Sequence, residues 1–455
     1  MEMMLEFLRD ILSQPALLIG IMSCVGLIAL KRPFHKIMTG TLKPILGYLM
    51  LAAGAGVIVS NLDPLGKMIE HGFHITGVVP NNEAIVAVAQ KVLGVETMSI
   101  LVVGLLMNLL IARFTKFKYV FLTGHHSLFM ACLMSAVLGT AGLSGIELIL
   151  VGGFLMGAWS AISPAIGQSY TSKVTDGDEI ALGHFGSLGY YLSAWVAKYV
   201  GKAEESTEDI EIPEKWGFLR DSTLSTALTM IVFYLIAAIA AGSEFVSTLS
   251  GSMSPYLFAV MSAMNFAVGV AIVYSGVRMI LGDLIPAFQG IATKIIPNAI
   301  PAVDCAVFFT YAPTAVVLGF ISSFIGGIIG MLILGAVGGV LIIPGLVPHF
   351  FCGATAGIYG NATGGRRGAA VGAFLNGLAI TFLPALALPV LGQLGFQNTT
   401  FGDADFAVMG LVLGNAFEWI GMAGIYGVVV IAALVLIIPN FIKTKGKVIN
   451  YVEEE

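Results

Sequence analysis

The sequence predicts an all-α polytopic membrane protein of about eleven transmembrane helices, arranged as an inverted five-plus-five repeat with two re-entrant hairpins. Three observations carry that prediction. Of the 455 residues, 57% are apolar and 11% charged, whereas a soluble domain has about 25% charged residues. Apolar runs follow one another from about residue 15 to about residue 440, many of them close to the roughly 20 residues that a spanning helix needs. The chain also matches itself at an offset of about 220 residues.

Taken in order, residues 1–12 mix Glu2, Glu6, Arg9 and Asp10 with Leu, Met and Phe. They lack the basic region and small-residue cleavage site of a signal peptide and predict a short interfacial helix. Spans are expected near 15–30, 42–60, 97–113, 119–140, 146–168, 223–242 and 257–277. Four more are expected near 314–335, 338–356, 370–391 and 421–441. Between the fifth and sixth lies the largest polar segment, KAEESTEDIEIPEKWGFLRDS from Lys202, read as a tethering loop.

Basic clusters orient the spans, because cytoplasmic loops are enriched in Lys and Arg. They fall at Lys31, Arg32 and Lys36, at Arg113, Lys116 and Lys118, across 173–220, at Arg278 and Lys294, at Arg366 and Arg367, and at Lys443 to Lys447. The connections near 142–147, 244–255 and 392–418 have neither Lys nor Arg, whereas the one after Asp63 carries Lys67 and Lys91. This alternation predicts an external N-terminus and a cytoplasmic C-terminus.

The repeat is clearest where VGGFLMGAWSAISPA from Val151 meets VGAFLNGLAITFLPA from Val371. The same offset pairs Gly56, Val57 and Asp63 with Gly276, Val277 and Asp283. Each repeat holds an odd number of spans, so the second enters the membrane from the opposite side. The expected units are residues 1–200 (first repeat), 201–222 (cytoplasmic loop), 223–441 (second repeat plus a last span) and 442–455 (cytoplasmic tail).

The hairpins are expected at VVPNNEAIVAVAQKVL from Val78 and IIPNAIPAVDCAVFFTYAP from Ile295, which are apolar but Pro-interrupted. A matched pair of broken segments in corresponding positions of two halves points at a binding site. Asp304 and Glu83 sit near the tips, and an ionisable group at membrane depth usually serves a solute or proton path. Asp304 can equally cap a helix or pair with a cation, and Glu83 beside Asn82 can equally be an N-terminal cap. Among the histidines, His125 in FLTGHH and His184 in IALGHF each follow a glycine inside an apolar segment; His126 and His349 are intramembrane as well, and His35, His71 and His74 fall in loops. The run from Ala53 through Gly54 and Ala55 to Gly56 can bring backbone amides close to a solute or serve as helix-packing surface.

Several classes are excluded. The net charge of -5 and scattered Lys and Arg give no basic face for nucleic acid. Cys24, Cys132, Cys305 and Cys352 show no metal-ligand spacing and read as buried thiols. NATGGRRG from Asn361 lacks the Walker pattern, so no ATP site is encoded. No metal or cofactor is expected.

GYLMLAAGAGVIVS, FLTGH, KVTDGD, the EESTEDIEIP loop, AVDCAVFFTYAPTAVVLGF and LIIPGLVPHFF together resemble the ascorbate-specific membrane (IIC) components of the bacterial phosphotransferase system, along nearly the whole chain. The resemblance implies a homodimeric permease in the bacterial inner membrane. It implies eleven-span subunits with core and V-shaped dimerisation domains interleaved in sequence. L-ascorbate would move inward by an elevator-like shift while a cytoplasmic IIB partner, supplied by IIA, phosphorylates it. It further implies substrate-binding roles for the Ala53 to Gly56 backbone, His125, His184 and Asp304. The chain departs from the family at Phe185 and Gly186, where a glutamine-rich run is usual, and near Glu83 and Phe129. A related polyol or sugar acid is therefore the alternative substrate, and an ion-coupled carrier the alternative mechanism.

Overall fold

The computed structural model describes residues 14–74, 77–80, 82–177, 179–210, 222–392 and 399–441. The expected interfacial helix of residues 1–12 and the tail from 442 lie outside these residues. The first half runs α1 (Pro15–Ala29), α2 (Phe34–Gly72), β1 (Val79–Pro80), α3 (Asn82–Phe114), β2 (Tyr119–Phe121), α4 (Gly124–Thr140), α5 (Gly145–Thr175), β3 (Ala181–Leu182) and α6 (Ser187–Val200). The second runs α7 (Ser222–Ala241), α8 (Ser243–Ser250), α9 (Pro255–Lys294), β4 (Ile300–Val303), a 3-10 turn (Cys305–Thr310), α10 (Pro313–Ala336), α11 (Leu346–Gly392), β5 (Thr399–Thr400), α12 (Ala404–Ile420) and α13 (Met422–Ile437).

The protein is thus mostly helical, and among the described residues seven helices are long and apolar enough to cross a membrane, or eight if the bent pair around Gly242 is one span. Eleven spans were expected, and the difference has identifiable causes. The apolar run near 119–140 divides into strand β2 and the 17-residue helix α4, most of whose residues are buried inside the protein. An interior segment of a membrane protein is as apolar as a span, so hydropathy does not separate the two. The runs near 338–356 and 370–391 fall on the two arms of α11, two helices joined at a kink at Gly364 and Gly365 and counted together in the seven. Across that break the Gly360 and Gly368 backbones are in contact, so the chain folds back on itself. Gly365 has φ of 58°, a conformation that glycine adopts freely.

Helix packing sorts the elements into two groups. In one, α2 lies along α9, with α1 and α7 against both. In the other, α10 packs on α11, α11 on α6, α3 on α4 and α5, and α12 joins α11 to α13. Small residues bring α2 and α9 together. A Cβ at Gly54 would stand 2.7 Å from the Gly269 carbonyl, and one at Gly47 2.8 Å from the Gly276 carbonyl. This is the close backbone approach that glycine permits between membrane helices. Outward faces carry exposed Leu46, Ile236, Leu332 and Ile431, a surface suited to acyl chains.

Short parallel strands occupy the breaks. β4 lies between β2 and β3, in the register Tyr119 to Ile300 and Leu182 to Val303. β1 pairs with β5, and Val78 bridges to Ile342. Backbone polar groups away from water must find partners inside the protein; here Leu122 N–H donates to Ala302 O at 2.9 Å and Gly183 N–H to Val303 O at 2.7 Å. The Pro-interrupted segment from Ile295 is therefore a strand and a 3-10 turn. In the segment from Val78 the described residues form strand β1 and, from Asn82, the 33-residue helix α3.

Candidate functional site

Asp304 stands where β4 gives way to the 3-10 turn. It caps that turn, its Oδ1 accepting the Ala306 N–H at 3.0 Å, and is 8% exposed. Its Oδ2 lies 3.3 Å from Nε2 of His125, in the first turn of α4. His125 Nδ1 lies 3.1 Å from the Tyr48 hydroxyl on α2. The chain Tyr48, His125, Asp304 thus joins both helix groups through polar contacts.

His184 follows β3 in the turn that leads to α6. Its Nδ1 accepts the Gly186 N–H at 3.1 Å and lies 2.9 Å from the Tyr190 hydroxyl. His126 stands beside it, ring centroids 3.7 Å apart, with Nδ1 accepting the Phe185 N–H at 3.3 Å. Phe185 and Phe406 pack around this pair. Asp403 completes the cluster. Its Oδ1 accepts from Cys352 Sγ at 2.8 Å, its Oδ2 from the Asn82 amide at 2.6 Å, and His184 Nδ1 lies 3.9 Å away. Behind it Asp405, fully buried, accepts from Ser187 Oγ (2.7 Å), Leu188 N–H (2.9 Å) and Trp159 Nε1 (3.2 Å).

These groups border one cavity of about 700 Å³, lined by Tyr48, His125, His126, His184, Asp304, Asp403 and Asn82, with apolar walls from Phe129 and 343–348. Along α2 its lining runs from Tyr48 to Glu70 and includes Asp63 and Lys67, which pair at 2.8 Å. The cavity therefore extends toward the C-terminal end of α2, away from Lys36 and Lys43. Ligand atoms of His126, His184 and Asp403, and of His184, Asp304 and Cys305, lie within 4.8 Å of one another. That spacing could hold a cation, but Nδ1 of both His126 and His184 already accepts a backbone N–H. A metal on Nε2 would require the ring proton to move to Nδ1, against those donors.

The structure brings together His125, His184 and Asp304 of the residues singled out in the sequence. It does not bring the Ala53 to Gly56 run to them: Gly54 faces α9, Ala53 and Gly56 are exposed, and the cavity lining includes Leu51 and Ala52 instead. The side chains of Ala55 and Glu83 lie outside the described residues; the Glu83 backbone forms the first turn of α3. His349 is buried away from this cluster, 2.9 Å from Ser323 Oγ. Cys132, Cys305 and Cys352 are buried and Cys24 partly so, all as free thiols. Sequence reasoning passed over Asp403, Asp405, Asn82 and Tyr48. The signal for Asp403 was its offset in the sequence, since it stands 220 residues after Gly183, in the turn that carries His184.

A family model described as the PTS system sugar-specific permease component matches residues 10–405. A curated relative from Mycoplasma pneumoniae, named as an ascorbate-specific PTS system EIIC component, is 26% identical over 417 residues. The alignment covers 78% of this chain and 62% of the relative, so the chain spans less than two thirds of that protein's length.

Proposed function

The chain belongs to the family of PTS system sugar-specific permease components, and from that premise we propose that it is the subunit that carries L-ascorbate across the bacterial inner membrane. In this reading a cytoplasmic IIB partner, charged by IIA, phosphorylates the solute as it arrives. The name of the Mycoplasma pneumoniae relative supports the choice of solute. The observation that carries the proposal is the cavity itself. Asp304, His125, His126, His184 and Asp403 line a space of about 700 Å³ in a chain otherwise poor in charge, and clustered ionisable groups at membrane depth mark a solute path.

The packing supports alternating access by an elevator-like movement as part of this reading. The helix group built on α10, α11 and α6 carries Asp304, the histidines and Asp403, whereas the α2–α9 group contributes Tyr48 and the wall beyond it. Sliding the first group along the second would carry the site from one face to the other. The pairing pattern supports an inverted repeat: β4 pairs with β2 and β3 of the first half, whereas β1 pairs with β5 of the second and the neighbouring Val78 bridges to Ile342. Pairs of equivalent breaks thus exchange partners, as a pseudo-two-fold axis in the membrane plane requires. An external N-terminus, a cytoplasmic C-terminus and a homodimer complete the reading.

The test is binding of L-ascorbate to the purified protein in detergent, with galactitol as control. Wild type is expected to bind, and Asp304→Ala and His184→Ala to weaken binding by about tenfold or more, the scale of losing a hydrogen bond to a charged group. A wild-type protein that keeps its fold and ignores ascorbate would leave the permease and remove the substrate, the departures at Phe185 and Phe129 then pointing to a related polyol or sugar acid.

A further inference from the structure

The turn between α3 and β2 carries the cations Arg113, Lys116 and Lys118. It is tightly built: Phe117 is buried, its N–H donates to Thr115 Oγ1 at 3.1 Å, and Lys118 Nζ donates to Ala112 O at 3.0 Å. Arg113 is exposed, its guanidinium carbon 5.7 Å from the centre of the Phe114 ring. Burial pulls the Lys118 ammonium below its ordinary value, and the Arg113 guanidinium nearby adds to that. Among the described residues no carboxylate pairs with Arg113 or Lys118. The turn is also tied to the end of α13. Lys116 N–H donates to Asn440 Oδ1 at 2.8 Å, and Asn440 Nδ2 donates to Leu436 O at 3.1 Å. Directly before Asn440 lies an apolar groove of about 250 Å³, lined by Ile431, Leu434, Val435, Ile438 and Pro439. The first four follow the spacing i, i+3, i+4, i+7 and so form one stripe of the helix. That stripe is about 10 Å long, against the roughly 15 Å of hydrocarbon that one leaflet contributes. Phe114 beside Arg113 and Phe441 beside Asn440 are exposed as well.

We propose that this junction binds one anionic phospholipid, its phosphate held by Arg113 and Lys118 and an acyl chain laid in the groove of α13. Basic pockets beside spanning helices on the cytoplasmic side take acidic lipid headgroups, and the orientation proposed above puts the turn on that side. The site takes its leaflet from that orientation and owes nothing to the choice of solute. Charge and groove together select the occupant. A zwitterionic headgroup brings its own cation and gains little from the basic pair, whereas a soluble acidic protein has no use for an apolar stripe at acyl-chain depth. The lipid also reaches the framework of the cavity. β2 begins at Tyr119, directly after Lys118, and pairs with β4, which ends one residue before Asp304. A ligand of the folded turn stabilises the fold that contains it.

The test compares binding of dioleoyl phosphatidylglycerol and dioleoyl phosphatidylcholine to the purified full chain in detergent, read by native mass spectrometry. Wild type is expected to prefer phosphatidylglycerol by about tenfold or more, the scale that two cations set. Arg113→Gln combined with Lys118→Gln, whose amide can still donate to Ala112 O, is expected to bring the preference down to about threefold or less. Arg113→Gln alone, at an exposed position, gives the same comparison with a smaller loss should the pair fail to fold. Leu434→Trp, which fills the groove and keeps both cations, is expected to weaken phosphatidylglycerol binding by about fivefold. Lys31→Gln with Arg32→Gln, in the turn between α1 and α2, should leave the preference intact. A wild type without preference, or one whose preference survives loss of both Arg113 and Lys118, would overturn the site. An equal loss in the Lys31 and Arg32 variant would overturn it too, because net charge alone would then be read. Glycerophosphoglycerol, the same headgroup without acyl chains, should compete poorly; competition at concentrations similar to the lipid would replace the lipid with a free phosphate ligand.

Discussion

Asp403 and Asp405 stand two residues apart and do different work. Asp403 borders the cavity, whereas Asp405 is buried behind it and holds the turn that carries His184 through Ser187, Leu188 and Trp159. Its own N–H donates to Phe185 O at 2.9 Å, closing the turn from the other side. Removing that carboxylate strands three donors, Ser187 buried and Leu188 and Trp159 partly so, and Asp405→Ala is expected to lower stability by about 2–4 kcal/mol. Asp405→Asn, which keeps an acceptor, should cost less. Denaturation of the purified protein in detergent, followed alongside ascorbate binding, checks both. His125, His184 and Asp304 were legible in the sequence because each is an ionisable residue in an apolar run. Asp403 and Asp405 were not, because they lie in the polar stretch near 392–418, which reads as an external connection. Only the folded chain brings it back against the turn at His184.

At the scale of elements, the strands were the least visible feature. Ile300–Val303 is four residues long, contains Pro301 and has no periodicity to read; its pairing depends on β2 and β3, more than a hundred residues away. The loop after α6 was read as a tether, yet residues 202–209 dock on helix ends. Glu208 accepts from the N–H groups of Thr314 and Ala315 at 3.0 and 3.1 Å, at the N-terminus of α10, and Asn361 accepts the Thr207 N–H at 2.8 Å. An acidic cap there contributes about 1 kcal/mol, so Glu208→Ala is expected to speed amide exchange at Thr314 and Ala315 with little change elsewhere. Unchanged exchange at those amides would show that the cap is dispensable. The α2–α9 crossing allows a sharper prediction. Gly54→Val meets the Gly269 carbonyl and Val273 backbone, and is expected to destabilise the protein, because rigid helices rather than a flexible side chain must give way. Gly56→Val, at a position with open space, should be tolerated.

For the whole molecule, the fold class was legible because composition alone demands a bilayer. Among the described residues seven or eight helices are long and apolar enough to span, and buried helices such as α4 are as apolar as those that face lipid. What the sequence could not supply is the placement of the cavity between two helix groups, one holding the ionisable cluster and the other Tyr48 and the α2 wall. In the proposed reading the groups slide past one another to carry the solute, and phosphorylation by a partner supplies direction without an ion gradient. The most direct test is uptake of labelled ascorbate into membrane vesicles that contain the protein, its IIA and IIB partners and a phosphoryl donor, with and without an uncoupler. The account predicts uptake that requires the donor and survives the uncoupler. Uptake that collapses with the uncoupler, or proceeds fully without the donor, would contradict it and identify an ion-coupled carrier instead.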